Sequence, residues 1–204
     1  MTSYNVQIVT ILNKESTMTI EHVFSEEIQA LKDGKLVVYP TEAVWGIGCD
    51  PMNEAAFSLL LEAKNRPLHK GVILIAKDYS QVLPFIADEK IPMDKRAEIL
   101  SSWPGPFTWL LPASQNAPEY ITGGSELIAV RVTNHPTVRR MCDEFGGAIV
   151  STSANLSGEP TPDTLKGVID MFADKVAVYV DESLGANKSP SKITNGMTGE
   201  VIRG

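Results

Sequence analysis

The chain has 204 residues, 43% of them hydrophobic and 21% charged, which suits one domain with a sizeable core and excludes disorder or a coiled coil. Its formal net charge of -7 argues against a protein that coats nucleic acid through its overall field, since that attraction is supplied by many Lys and Arg on phosphates. Cys49 and Cys142 are too few for a disulfide scaffold and match no metal-ligand spacing, and no stretch reaches the roughly 20 apolar residues that span a bilayer, so reduced thiols in a cytoplasmic protein without membrane contact are expected.

Residues 1–17 differ in pattern from the rest of the chain, and the compact pattern begins at Thr19. A natural start at Met18 is therefore expected, with 1–17 an N-terminal extension and 18–204 the domain. Ser25 before Glu26 and Glu27 has the form of a helix cap with an acidic first turn, and Gly34 is a stop, which predicts a helix over 26–33. The short apolar run 36–40 predicts a buried strand, ended by Pro40-Thr41-Glu42. A glycine-rich excursion occupies 45–51. Asn53 then caps a helix to Lys64, which Pro67 prevents from continuing.

Strand 72–76, helices over 79–86 and 93–103, and the apolar run 107–111 come next. Strand 127–133 alternates around Arg131, and Pro136 suits the first turn of a helix to Phe145. Strand 148–152 runs into Ser153-Ala154-Asn155-Leu156-Ser157-Gly158. Helix 163–173, strand 176–180 and a last strand at 200–202 close the chain. Strands and helices mix without strict alternation, which predicts an α/β fold with a mixed sheet and helices packed on it.

Lys64, Arg66 and Lys70 crowd into one loop of an acidic chain. Such a cluster either complements the negative end of a helix dipole or forms an anion site at a strand end. Phosphate loops of the G-x-x-x-x-G-K-[ST] type, H-E-x-x-H and a G-x-S-x-G elbow are all absent. What remains is a set of polar residues at predicted strand ends, Thr41, Arg131, Ser151, Ser153 and Asn155, beside the cation cluster. Lys and Arg supply charge, Arg a bidentate grip, and hydroxyls short donors, which suits a phosphorylated ligand. Ser153-Ala154-Asn155 equally reads as a turn bonded to its own backbone. Arg131 interrupts a buried run and needs a partner, either a ligand carboxylate or an internal acid.

Tyr39-Pro40-Thr41-Glu42, Lys64-x-Arg66-Pro67 with Lys70-Gly71, Trp103-Pro104-Gly105-Pro106-x-Thr108, Ala129-Val130-Arg131 and Ser151-Thr152-Ser153-Ala154-Asn155-Leu156-Ser157-Gly158 together resemble the YrdC/TsaC (RimN) family, over roughly residues 25–204. The resemblance is to the short bacterial single-domain form. It implies a twisted open mixed sheet around a concave, positively charged cavity, and threonylcarbamoyl-AMP synthase activity on L-threonine, bicarbonate and ATP with Mg²⁺. Lys64, Arg66 and Lys70 are then the catalytic cations on the triphosphate. Ser153, Asn155, Thr161, Ser191 and Arg203 complete the ATP site, and Thr41, Arg131 and Ser151 hold threonine. No protein metal site and no tightly bound cofactor are implied, since the phosphates carry the magnesium. A transferase complex would take the labile adenylate onward to tRNA. Lys192, after Ser191, departs from the small residue usual in the family. The alternative is a module for double-stranded RNA, tRNA or ribosome maturation, with RNA held weakly by shape.

Overall fold

The computed structural model describes residues 24–187 and 189–203, so the expected extension and start at Met18 lie outside the described residues. Six α-helices are described: α1 (Glu26–Lys32), α2 (Glu54–Lys64), α3 (Met93–Ser101), α4 (Glu119–Thr122), α5 (Pro136–Phe145) and α6 (Leu165–Phe172). Nine strands, β1 (Val37–Pro40), β2 (Trp45–Gly48), β3 (Ile73–Ala76), β4 (Phe107–Pro112), β5 (Leu127–Val132), β6 (Ile149–Ser153), β7 (Val178–Tyr179), β8 (Lys192–Asn195) and β9 (Val201–Arg203), form one sheet in the order β7-β1-β2-β6-β3-β5-β4-β8-β9. The pairs β1/β7, β3/β5 and β4/β8 are parallel and the others antiparallel, giving the mixed sheet that the sequence predicts.

The two-residue period of the strands divides their side chains between two unequal faces. On one, Val38, Ile47, Leu74, Val130, Val150 and Trp109 join Phe57 and Leu60 of α2 and Val168 and Phe172 of α6 in the main core. On the other, Ile28 and Leu31 of α1 with Val138, Met141 and Cys142 of α5 cover Val37, Tyr39, Ile75 and Ile149. This second cover is partial. Register aligns Ser151, Ile73, Ala129 and Leu110 in one row of that face, and this row forms the floor of a cleft.

Asn53 caps α2 as expected, its side chain accepting from Ala56 N at 3.0 Å. Ser25 does not cap α1 through its side chain; its hydroxyl donates instead to Glu144 at 2.8 Å, tying α1 to α5. The expected helix over 79–86 is two single 3₁₀ turns, Tyr79–Gln81 and Leu83–Phe85. Pro84 explains the break, since it has no N–H to bond back to residue 80. The glycine-rich excursion conceals β2. A Cβ on Gly48 would lie 1.8 Å from the Val150 carbonyl oxygen, so glycine lets β2 approach β6 despite its low strand propensity.

Candidate functional site

The cleft has a volume of about 450 Å³, within the range of small-molecule sites. Its wall is built from the loop after β1, the loop after α2, the inward face of β5 and β6, Ser189, Pro190 and Ser191 before β8, and Ile202 and Arg203 of β9. Arg66, Lys70, Arg131 and Arg203 line it, against Glu42 as the one lining carboxylate among the described residues, so the cleft is electropositive in an acidic chain.

The cation loop begins where Asn65 takes a left-handed conformation, φ 48°, and turns the chain off the end of α2. Arg66 then folds back on its own loop. Its Nη2 donates to the Gly71 carbonyl at 2.8 Å and the Lys70 carbonyl at 3.2 Å, and its Nε reaches Gly71 at 3.2 Å. Burial lowers the Arg66 pKa without threatening the charge of a guanidinium. Gly71 has φ +51° and packs closely, with a Cβ there only 3.1 Å from the Thr122 carbonyl oxygen. Lys70 is exposed, its ammonium 3.5 Å from the Ser157 hydroxyl.

Lys64 stands apart from the other expected cations of the site. It does not line the cleft; it is 1% exposed and donates to the carbonyls of Ser153 at 2.5 Å and Asn155 at 2.6 Å. Its own carbonyl accepts from Ser157 N at 2.8 Å. Lys64 therefore staples the cation loop to the turn after β6, and neither a free helix-end charge nor an exposed anion ligand describes it. Burial, reinforced by Arg66, pushes its pKa down to about 7.

Asn155 is also a builder of the wall and not part of its lining. Its Oδ1 accepts from the Ser153 hydroxyl at 2.5 Å and its Nδ2 donates to the carbonyls of Leu156 and Glu159 at 2.8 and 2.6 Å. These bonds shape the turn that Ser153-Ala154-Asn155 makes after β6. Ser151, Ser153 and Thr161 do line the cleft, and the Thr161 hydroxyl lies 3.5 Å from Asn155 Oδ1. Thr41 lines it too, with its hydroxyl donating to the Val44 carbonyl at 2.7 Å.

At the far wall Ser191 is buried, its hydroxyl 2.8 Å from that of Thr108. Arg203 donates to the Ser191 carbonyl through Nη2 at 2.9 Å and Nε at 3.2 Å. Burial, with the neighbouring charge of Arg131, lowers the Arg203 pKa. Lys192 points outward and is exposed, so the departure from a small residue there leaves the cleft wall unchanged.

The partner demanded by Arg131 is internal. Its guanidinium pairs with Glu42, whose Oε1 accepts from the Thr133 hydroxyl at 2.6 Å and from Asn134 N at 3.2 Å. Burial alone would raise the Glu42 carboxyl, but Arg131 and then Thr133 outweigh it and hold it below the usual carboxylate range. Arg131 Nε is buried without an acceptor. Residues 183–187 cross beside this pair: Gly185 N and Asn187 N donate to the carbonyls of Thr41 and Glu42, both at 2.9 Å. Glu42, Thr133 and this segment are the site residues that motif reasoning missed. The signals were a buried charge in β5 and an acid inside the Tyr39-Pro40-Thr41-Glu42 run; nothing in the order of residues marked Thr133.

The family model for Sua5, YciO and YrdC proteins, described as telomere recombination, matches residues 29–204. The chain belongs to this family. It is 51% identical over 187 residues to a protein of Pseudoalteromonas translucida named threonylcarbamoyl-AMP synthase, covering 92% of this chain and all of that one. A protein of Vibrio campbellii with the same name is 43% identical, over 88% of this chain and 97% of its own. Among solved structures, Pyrococcus abyssi Sua5 complexed with L-threonine superimposes with a TM-score of 0.76 at 32% identity, over 82% of this chain. A double mutant of the same Sua5 gives 0.78 at 30% identity over 86%. The chain spans about half the length of those Sua5 chains, 49% and 53%. Escherichia coli YciO, at 17% identity and a TM-score of 0.74, shares the family fold.

Proposed function

We infer that this chain joins L-threonine, CO₂ derived from bicarbonate, and ATP into threonylcarbamoyl-AMP and pyrophosphate. The observation that carries the reading is the convergence, in one cleft, of Arg66, Lys70 and Arg203 with Arg131 and the small residues of β6. Relatives named for this activity align over nearly their whole length, which supports it.

In this reading the threonine amine attacks CO₂ and loses a proton, giving a carbamate. A carbamate oxygen then attacks the α-phosphorus in line, the bond to the bridging oxygen breaks, and pyrophosphate leaves. Chemistry at phosphorus of this kind runs mainly on positioning and charge neutralisation. Arg66, Lys70 and Arg203 neutralise the triphosphate, Ser153 and Thr161 face the nucleotide, and Ser191 shapes the wall behind it. Arg131 receives the threonine carboxylate, with Thr41 and Ser151 beside it. Lys64 and Asn155 serve the site by holding the turn after β6.

Magnesium, carried by the ATP phosphates, would supply further charge neutralisation. Among the described residues no three His, Cys, Asp or Glu side chains cluster, and Glu42, the one carboxylate lining the cleft, is engaged by Arg131 and Thr133. The adenylate product is labile, so a transferase complex that hands the threonylcarbamoyl group to tRNA is its consumer. None of the described helices is long and apolar enough to cross a membrane.

The test is adenylate formation and pyrophosphate release from labelled ATP, with L-threonine and bicarbonate each supplied or withheld. Release that requires both supports the reading. Tight tRNA binding at physiological salt with no pyrophosphate release would overturn it in favour of an RNA module.

A further inference from the structure

Arg131 is 7% exposed and its side chain is long, so something must fix where its guanidinium points. We propose that Glu42 and Thr133 are positioning residues for the amino-acid substrate: together they aim Arg131 at the threonine carboxylate. The inference rests on the proposed function, in which Arg131 receives that carboxylate.

Thr133 is fully buried at the end of β5, where its N–H still pairs with Ala76 of β3 at 2.9 Å. Its hydroxyl is used in both directions, donating to Glu42 Oε1 at 2.6 Å and accepting from His135 N at 3.0 Å. The backbone N–H of His135, at the start of α5, thus orients the hydroxyl, and the hydroxyl orients the carboxylate. The second carboxylate oxygen takes Arg131. The main chain of Glu42 is pinned as well: its carbonyl accepts from Asn187 N, and a Cβ on Gly185 would lie 2.6 Å from Glu42 Cα. With both ends of Glu42 fixed, Arg131 is held against one acceptor and retains unused donor capacity, including a buried Nε. A guanidinium placed in this way meets a carboxylate without first reorganising.

The decisive variant is Thr133→Val, which removes the hydroxyl and keeps both charges; Thr133→Ser restores it. Calorimetric titrations with L-threonine and, separately, with α,β-methylene-ATP are made on the full chain of each. Valine should weaken L-threonine binding about tenfold, the factor carried by one hydrogen bond to a charged acceptor, while the ATP analogue binds as to wild type. Serine should bring L-threonine affinity back. Unchanged L-threonine affinity in Thr133→Val, equal loss for both ligands, or no rescue by serine would each overturn the inference. A wild-type chain that binds the ATP analogue but not L-threonine would instead overturn the reading of Arg131, and the inference with it.

Discussion

Lys64→Met is the most informative single substitution, because methionine keeps the buried stem and deletes only the ammonium. Two carbonyl oxygens, of Ser153 and Asn155, lose their donor, and an orphaned acceptor costs about 1–3 kcal/mol. Against this, burial already penalises the ammonium, as its pKa of about 7 records. The two effects partly offset, and a net loss of about 2 kcal/mol at neutral pH is expected in urea denaturation. The pH dependence separates them. The unfolded lysine keeps its proton up to its ordinary value of 10.5, whereas the folded one sheds it near 7, so between these the unfolded state binds more protons. Wild-type stability therefore gains from this group, by up to about 1.4 kcal/mol per pH unit, as pH rises above 7. Lys64→Met should lose that component, so its deficit widens from pH 7 to pH 9. Parallel stability curves for the two proteins would refute the assignment of Lys64 as a buried staple.

Arg66→Ala should cut pyrophosphate release by about 100-fold or more, since it removes a preorganised charge from the wall proposed to hold the phosphates. The same change should cost only about 1–2 kcal/mol of stability for its bonds to Lys70 and Gly71; melting that collapses together with activity would give Arg66 a purely structural role. Gly48→Ala should destabilise by about 3 kcal/mol, because the new methyl meets the Val150 carbonyl and must push β2 from β6. A thermal melt matching wild type would show that the strands separate more easily than this packing implies.

Long or strongly patterned elements were legible in the sequence: α2 with its Asn53 cap, α5 behind Pro136, and the apolar strands β1, β3 and β5 all stand within a residue or two of expectation. β2 was not, because Gly46 and Gly48 read locally as a loop, and only the neighbouring β6 explains why glycine is needed. The cation cluster was visible as charge but not as direction. Spacing places Lys64 and Arg66 together, yet the left-handed Asn65 between them sends one side chain behind the wall and the other into the cleft. Arg131 was legible as a buried charge in need of a partner. The choice of Glu42 depended on the loop after β1, a strand separated from β5 by three others in the sheet, and 89 positions away in number, which spacing alone does not reveal.

The three guanidinium groups that line the cleft are each held by an acceptor, and the kind of acceptor differs. Arg66 is bonded to the carbonyls of Lys70 and Gly71, Arg203 to that of Ser191, and Arg131 to the Glu42 carboxylate. Main-chain carbonyls hold a cation in place without cancelling its charge, so the wall proposed for the phosphates keeps its positive potential while losing freedom to rearrange. Only Arg131 faces a full negative charge, and that pairing lowers its pull on distant anions while fixing its orientation. In the proposed function, the triphosphate side is thus suited to attraction and the amino-acid side to alignment. This division matches a reaction in which a highly charged nucleotide must be neutralised and a small nucleophile aimed. With the rest of the chain acidic, the potential is confined to the cleft, where it favours a compact anion over an extended polyanion.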